Sequence, residues 1–118
     1  MVATGMNDQE IEDARNACKS QIGFYGSTPA YKTVLEQHGW ESIQPELNKM
    51  TKKGLWKDIP SLITDEMLEA ISVSGTPSQV AKKIYDRYKD IATRIAPSIF
   101  SGDPEVTSEL IGLLKKIK

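Results

Sequence analysis

Apolar residues recur every three or four positions along most of the chain, and short polar breaks with Gly, Pro or a capping residue separate the periodic segments. The first segment begins at Asn7, has Glu10 three residues later, and ends at Gly26. An Asn followed by a Glu at this spacing marks a helix start, and Gly marks a helix end. The pattern therefore predicts an amphipathic helix with an apolar stripe of Ile11, Ala14, Cys18, Ile22 and Tyr25.

Two Thr-Pro pairs, Thr28-Pro29 and Thr76-Pro77, predict further helix starts. Proline at the first helical position needs no N–H partner, and Gln79 completes a capping box in the second pair. The helix after Thr28 is expected to end at Gly39, with one face formed by Tyr31, Val34, Leu35 and His38. The helix after Thr76 is expected to bury Val80, Ile84, Tyr88 and Ile91.

The remaining segments predict three or four more helices. Pro45 opens one that buries Leu47 and Met50 and stops at Gly54. Two short helices are expected to meet near Ile63-Thr64, where Thr64 is a new N-cap. Asp103-Pro104 opens the last helix, whose apolar residues are Val106, Leu110, Leu113, Leu114 and Ile117.

The segment from Ala92 to Phe100 is the one plausible strand, and Pro97 restricts it to a sheet edge or an extended connector because proline cannot donate to a ladder. The predicted fold is therefore mainly α, with six to seven amphipathic helices and at most one short strand. We expect residues 1–118 to form a single helical domain or fragment and not a complete barrel.

Composition limits the function classes. With 118 residues the chain is too short for a complete (β/α)₈ barrel of roughly 200 to 250 residues. Its 15 basic and 16 acidic residues give a net charge of −1, which offers no support for nucleic-acid binding. No window is apolar enough to predict a membrane span or a signal peptide, so a cytoplasmic location is expected.

Cys18 and His38 are the only cysteine and histidine, which excludes metal sites built from several thiolates or imidazoles. A nucleophilic Cys18–His38 pair is conceivable. Cys18 lies on the apolar stripe of the first predicted helix, however, so we interpret it as a core residue.

The densest group of aromatic and hydroxyl residues follows the first helix. The candidate ligand-contacting residues are Tyr25, Ser27, Thr28, Tyr31, His38 and Trp40. Their helix start could also bind an anion, whereas the structural interpretation is a cap, packed tyrosines and a histidine near a helix end. The start at Gly75-Thr76 leaves the same choice between a phosphate site and a plain cap.

The run I-G-F-Y-G-S-T-P-A-Y-K-T-V-L-E-Q-H-G-W from Ile22 to Trp40 resembles the luciferase-like monooxygenase superfamily, especially its deazaflavin-dependent branch. Further matching pieces lie in the expected order: Glu46-Leu47-Asn48, Gly54-Leu55-Trp56, Ile63-Thr64-Asp65-Glu66-Met67-Leu68 and Val73-Ser74-Gly75-Thr76-Pro77-Ser78-Gln79-Val80-Ala81.

The resemblance implies a (β/α)₈ barrel that binds FMN or a deazaflavin coenzyme, of which this chain is the C-terminal part. In the family, the catalytic base and much of the flavin pocket come from further upstream, so no catalytic residue is carried over and no cofactor is expected on the isolated chain. The region from Tyr25 to Trp40 would line the substrate side of the pocket. The last barrel strand would fall at Arg94 to Phe100, where Pro97 departs from the smooth apolar pattern.

Two hypotheses follow. In the first, the chain is a C-terminal fragment of a flavin- or deazaflavin-dependent oxidoreductase of the monooxygenase type, inactive alone and completed by an N-terminal half. In the second, it is a helical module that self-associates or binds a partner without catalysis. Under both, faces that cover a barrel in the family would be exposed, which predicts a homo-oligomer.

Overall fold

The computed structural model describes residues 1–100 and 102–117; Ser101 and Lys118 lie outside the described residues. Within those ranges the strands are β1 (Val2–Thr4) and β2 (Val73–Gly75). The α-helices are α1 (Asp8–Ser27), α2 (Lys32–Gln37), α3 (Gln44–Lys52), α4 (Asp65–Ile71), α5 (Pro77–Tyr88) and α6 (Pro104–Lys116). Short 3₁₀ turns occupy Pro29–Tyr31, Glu41–Ile43 and Ile59–Leu62.

The prediction of a mainly helical chain is confirmed, but the prediction of at most one strand is wrong. β1 and β2 pair in parallel, with Val2 opposite Val73, Ala3 opposite Ser74 and Thr4 opposite Gly75. Each strand has three residues, all buried, so neither shows the alternation that identifies a half-exposed strand in a sequence.

The segment predicted as a strand, from Ala92 to Phe100, is irregular except at one residue. Ile99 forms a single parallel bridge with Val2, and the Val2 N–H donates to the Ser98 carbonyl at 2.8 Å. Pro97 has no N–H to donate, which explains why a continuous ladder does not form here.

Most helix starts lie where the sequence predicts them. The Asn7 side chain accepts from the Glu10 N–H at 2.9 Å, and the Glu10 carboxylate accepts from the Met6 N–H at 2.8 Å. The Thr64 hydroxyl accepts from the Met67 N–H and caps α4, and the Asp103 carboxylate accepts from the Glu105 N–H and caps α6. These bonds satisfy N–H groups that a helix leaves unpaired in its first turn.

The chain divides into two compact units, here called the first unit (residues 1–18 and 69–118) and the second unit (residues 19–68). The prediction of one helical domain stays a prediction. In the first unit, α5 packs against β2 and α6, and the core contains Val2, Val73, Val80, Ala81, Ile84 and Leu110. The prediction that Ile91 is buried is wrong: this side chain is 78% exposed, because α5 ends at Tyr88 and the helical spacing does not continue to Ile91.

The second unit is built from helices and 3₁₀ turns. Leu47 and Met50 of α3 are buried as predicted, and Gly54 has a φ of 70° at the end of this segment. Close packing explains why position 23 of α1 is a glycine, since a Cβ at this position would lie 2.1 Å from Ile59 Cγ2. The predicted apolar face of α2 is wrong in part: Leu35 is buried, whereas the large side chains of Tyr31 and Val34 are exposed.

Candidate functional site

The carboxyl ends of β1 and β2 are the first place to look for a ligand site, because ligands of parallel sheets bind beyond these ends. β1 ends at Thr4 and β2 at Gly75, and these two residues are register partners. The hydroxyls of Thr4 and Ser74 are buried and have no hydrogen-bond partner among the described residues. A buried polar group without a partner costs about 1 to 3 kcal/mol, so these hydroxyls mark an incompletely satisfied region.

The two unpaired hydroxyls do not converge on one point. Thr4 shares the sheet face of Val2 and Val73, whose side chains pack in the core with α5 and α6. Ser74 is paired with Ala3, and alternation along the strands directs both toward the opposite face. A single small ligand on one face of the sheet would therefore reach only one of them.

The start of α5 is a helix cap with little capacity left for an anion. The Thr76 N–H donates to the Gln79 side chain at 3.0 Å, and the Gln79 N–H donates to the Thr76 hydroxyl at 3.3 Å. Pro77 has no N–H, and the Val80 N–H donates to the Thr76 carbonyl. The capping box thus uses the donors that a phosphate would need, and the plain-cap interpretation is the better one.

Gly75 is required by the same arrangement. Its φ is 142°, and a Cβ at this position would lie 2.6 Å from the Gln79 Oε1 atom that accepts from the Thr76 N–H. Glycine tolerates this backbone conformation and leaves room for the capping side chain.

In the second unit, aromatic residues form a connected exposed group. The ring centroids of Tyr25 and Tyr31 are 5.4 Å apart, those of Phe24 and Tyr25 are 5.7 Å apart, and those of Phe24 and Trp56 are 6.0 Å apart. All four side chains are at least 40% exposed. We call Phe24, Tyr25, Tyr31 and Trp56 the aromatic surface.

The predicted candidates Ser27 and Thr28 have local partners. Both hydroxyls donate to the Phe24 carbonyl, at 2.6 Å and 3.4 Å respectively. The Ser27 carbonyl accepts from the side chains of Gln44 and Asn48 at 3.1 Å and 3.0 Å. These bonds fix the end of α1 against α3, so Ser27 and Thr28 position the aromatic surface rather than project from it.

His38 and Trp40 form a separate stacked pair with ring centroids 4.3 Å apart and planes inclined by 12°. Gly39 lies between them with a φ of 75°, which ends α2 and turns the chain. Of the six predicted site residues, the structure therefore joins Tyr25 with Tyr31 and His38 with Trp40.

Sequence reasoning missed Phe24, whose ring contacts Tyr25, and Trp56, whose ring contacts Phe24. Phe24 is adjacent to Tyr25 and belongs to the same aromatic run, which was a usable signal. Trp56 lies about thirty residues further along, and only the packing of the second unit brings it to Phe24.

Cys18 behaves as a core residue. Its side chain is fully buried, its Sγ donates to the Val2 carbonyl at 3.5 Å, and burial raises the pKa of the thiol. Since the thiolate is the nucleophilic form, this environment disfavours covalent catalysis by Cys18. Across residues 1–100 and 102–117, no three His, Cys, Asp or Glu side chains are grouped to hold a metal ion.

No helix in the described part of the chain has both the length and the apolar character needed to cross a lipid bilayer.

Comparison with known proteins gives a family match. The profile of the luciferase-like monooxygenase family matches residues 1–94. An uncharacterized protein of Mycobacterium tuberculosis is 44% identical over 105 residues, which are 89% of this chain and 31% of that protein. A protein of Archaeoglobus fulgidus named 5,10-methylenetetrahydromethanopterin reductase is 34% identical over 121 residues, covering 94% of this chain and 36% of the relative.

A protein of the same name from Methanopyrus kandleri is 30% identical over 109 residues, covering 89% of this chain and 30% of the relative. The chain thus spans about a third of the length of these relatives. No solved structure matches the chain significantly.

Proposed function

The chain belongs to the luciferase-like monooxygenase family, and from this premise we propose that it acts as the C-terminal part of a flavin- or deazaflavin-dependent oxidoreductase and is inactive alone. The observation that carries the proposal is the contrast in coverage. The family match includes residues 1–94 of the chain, whereas the chain spans about a third of its relatives. The reductase name of two relatives favours hydride transfer to a small organic substrate.

The residues present do not by themselves fit a flavin ring. Such a ring needs an apolar cleft with polar groups that converge on its edge. At the strand ends, Thr4 and Ser74 are 3% and 5% exposed and lie on opposite faces of the sheet, so they do not line one cleft. Residues outside this chain would therefore have to supply the rest of the cofactor's site.

The aromatic surface and the His38–Trp40 pair are our candidates for the substrate side of the completed site. Tyr25 and Tyr31 combine an exposed ring with a phenolic hydroxyl, which suits a partly polar organic molecule. Ser27 and Thr28 support them by fixing the end of α1 through the Phe24 carbonyl.

Complementation tests the proposal. The chain would be produced together with the part of the M. tuberculosis relative that lies outside the matched region, and binding of a deazaflavin coenzyme and of FMN would be followed by fluorescence. We expect neither polypeptide alone to bind either cofactor with a Kd of about 1 μM or tighter, and the pair to bind one of them. Binding at that affinity by the isolated chain would contradict the proposal of an incomplete enzyme.

The alternative function is a non-catalytic module that self-associates or binds a partner protein. The aromatic surface favours it, because connected exposed aromatic rings are typical of protein interfaces. This alternative predicts no rescue by the complementary polypeptide and a concentration-dependent homo-oligomer in sedimentation. A compact monomer at high concentration would count against self-association, and an upstream reading frame for the missing strands would favour the split enzyme.

A further inference from the structure

Two adjoining cavities lie in the first unit, near the amino ends of the strands. The smaller, of about 270 Å³, is lined by Met1 and Val73, where β1 and β2 begin. The larger, of about 540 Å³, lies between α5 and α6 and is lined by Tyr85 and Leu114 among others. Five of the described residues line both cavities: Ile84, Tyr88, Ala92, Ile95 and Pro97.

The charged side chains that line the smaller cavity, among residues 1–100 and 102–117, are both positive: Arg87 of α5 and Arg94 of the following segment. No Asp or Glu of these residues lines it. The Arg87 guanidinium donates to the carbonyls of Ser72 and Glu69, both at 3.3 Å. Carbonyl groups do not neutralise a guanidinium, which has five N–H donors in all, so charge and donors remain for an anion.

The larger cavity continues the smaller one with apolar residues such as Ile111 and Leu114. Its lining also includes two cations, Lys89 and Lys115, and one acid, Asp90. Both Ile84 and Ile95 line this cavity. Ile84 is buried, whereas the Ile95 side chain is 44% exposed to water. A ligand that reached from the arginines past Tyr88 would cover this apolar wall. The volume of the larger cavity is in the range of small-molecule sites.

Charge complementarity and apolar walls together define the class of ligand. We propose that the first unit binds an organic anion with an apolar body, whose carboxylate contacts Arg94 and Arg87 and whose hydrocarbon part extends past Tyr88 into the larger cavity. Arginine pairs with carboxylates through two parallel hydrogen bonds, which sets the orientation of the ligand. This site is independent of the oxidoreductase proposal, because it uses neither the strand carboxyl ends nor the aromatic surface.

Calorimetric titration of the full chain with decanoate and with decan-1-ol tests the site, since the two probes share a chain length and differ in charge. We expect decanoate to bind about tenfold more tightly or better. Arg94→Gln, in an exposed irregular segment, is expected to weaken decanoate binding severalfold and to leave decan-1-ol binding unchanged, while Arg87 keeps part of the preference for the acid. Lys82→Gln is the matched control, because Lys82 is an exposed cation on α5 that pairs with Asp86 and lines neither cavity.

Ile111→Trp probes the apolar part, because Ile111 of α6 lines the larger cavity and a tryptophan would fill it. We expect this variant to weaken both probes while circular dichroism shows the helical content to be retained. Equal affinity for the two probes, an unaffected Arg94→Gln variant, or no decanoate binding would each overturn the proposal. A dimer that Ile95→Lys disrupts, in a chain that does not bind decanoate, would instead assign these walls to an interface between copies.

Discussion

In the first unit, aliphatic side chains from two short strands and two helices meet in one core, whereas in the second unit four large aromatic rings lie at the surface. Among the exposed apolar residues of the first unit, Ile91, Ile95 and Phe100 come from the segment between α5 and α6, and Met6 comes from the segment between β1 and α1. The aromatic surface of the second unit includes Phe24 and Tyr25, which belong to a regular helix.

The buried aliphatic residues and the exposed aromatic residues have different roles. An apolar side chain that is buried within a unit contributes to the free energy of folding of that unit. An apolar side chain that stays exposed on a helix contributes little to the stability of the chain. The aromatic surface is therefore the part of the molecule that we propose as a contact surface. In the second unit the folding energy comes from smaller aliphatic residues such as Leu47 and Ile59.

The largest expected effect contrasts a buried and an exposed residue of the second unit. Leu47→Ala removes a fully buried side chain of α3 and should lower the free energy of unfolding by about 2 to 5 kcal/mol. Trp56→Ala removes a ring that is half exposed and should lower it by no more than about 1 kcal/mol. Urea unfolding followed by circular dichroism gives both values.

The same Trp56→Ala variant also tests whether the aromatic surface mediates association. If the aromatic surface is a contact surface, the variant should keep its stability and lose complementation or self-association. A loss of stability equal to that of Leu47→Ala would show that Trp56 belongs to the folding core instead.

Two helical glycines give the next largest effect, and the expected signs are opposite. A Cβ at Gly23 of α1 would lie 2.1 Å from Ile59 Cγ2, so Gly23→Ala should destabilise the chain by about 1 to 3 kcal/mol. Apart from the backbone of its own helix, a Cβ at Gly112 of α6 would meet no atom of the described residues within 4 Å, so Gly112→Ala should stabilise the chain by about 0.5 to 1 kcal/mol. Thermal unfolding of both variants measures the difference, and a stable Gly23→Ala would contradict close packing of α1 against Ile59.

The sequence predicts local structure better than the parts that depend on contacts between distant residues. Asn7, Thr64 and Asp103 cap helices as predicted, because capping bonds join residues two to four positions apart. β1 and β2 are missed, because their paired residues are 71 positions apart and because three consecutive buried residues show no alternation of apolar and polar side chains. The aromatic surface is found only in part, because the contact between Trp56 and Phe24 depends on how the second unit packs.

The smallest expected effect concerns the two Thr-Pro helix starts, one in each unit, which look alike in the sequence. At Thr76 the residue three positions later is Gln79, and both bonds of the capping box form. At Thr28 that position is Tyr31, whose ring cannot reach back as a glutamine does, and the Thr28 hydroxyl donates to the Phe24 carbonyl instead. The chain accordingly continues as a 3₁₀ turn before α2 begins.

Thr76→Ala should therefore lower the free energy of unfolding by about 1 kcal/mol, whereas Thr28→Ala should change it by less than about 0.5 kcal/mol. Thr76→Ser, which keeps the hydroxyl, is the matched control and should retain most of the stability. Because the effect is small, urea midpoints of all three variants should be compared at a common slope. Equal losses at Thr76 and Thr28 would mean that proline at the first position, rather than the residue three positions after the cap, sets the strength of these helix starts.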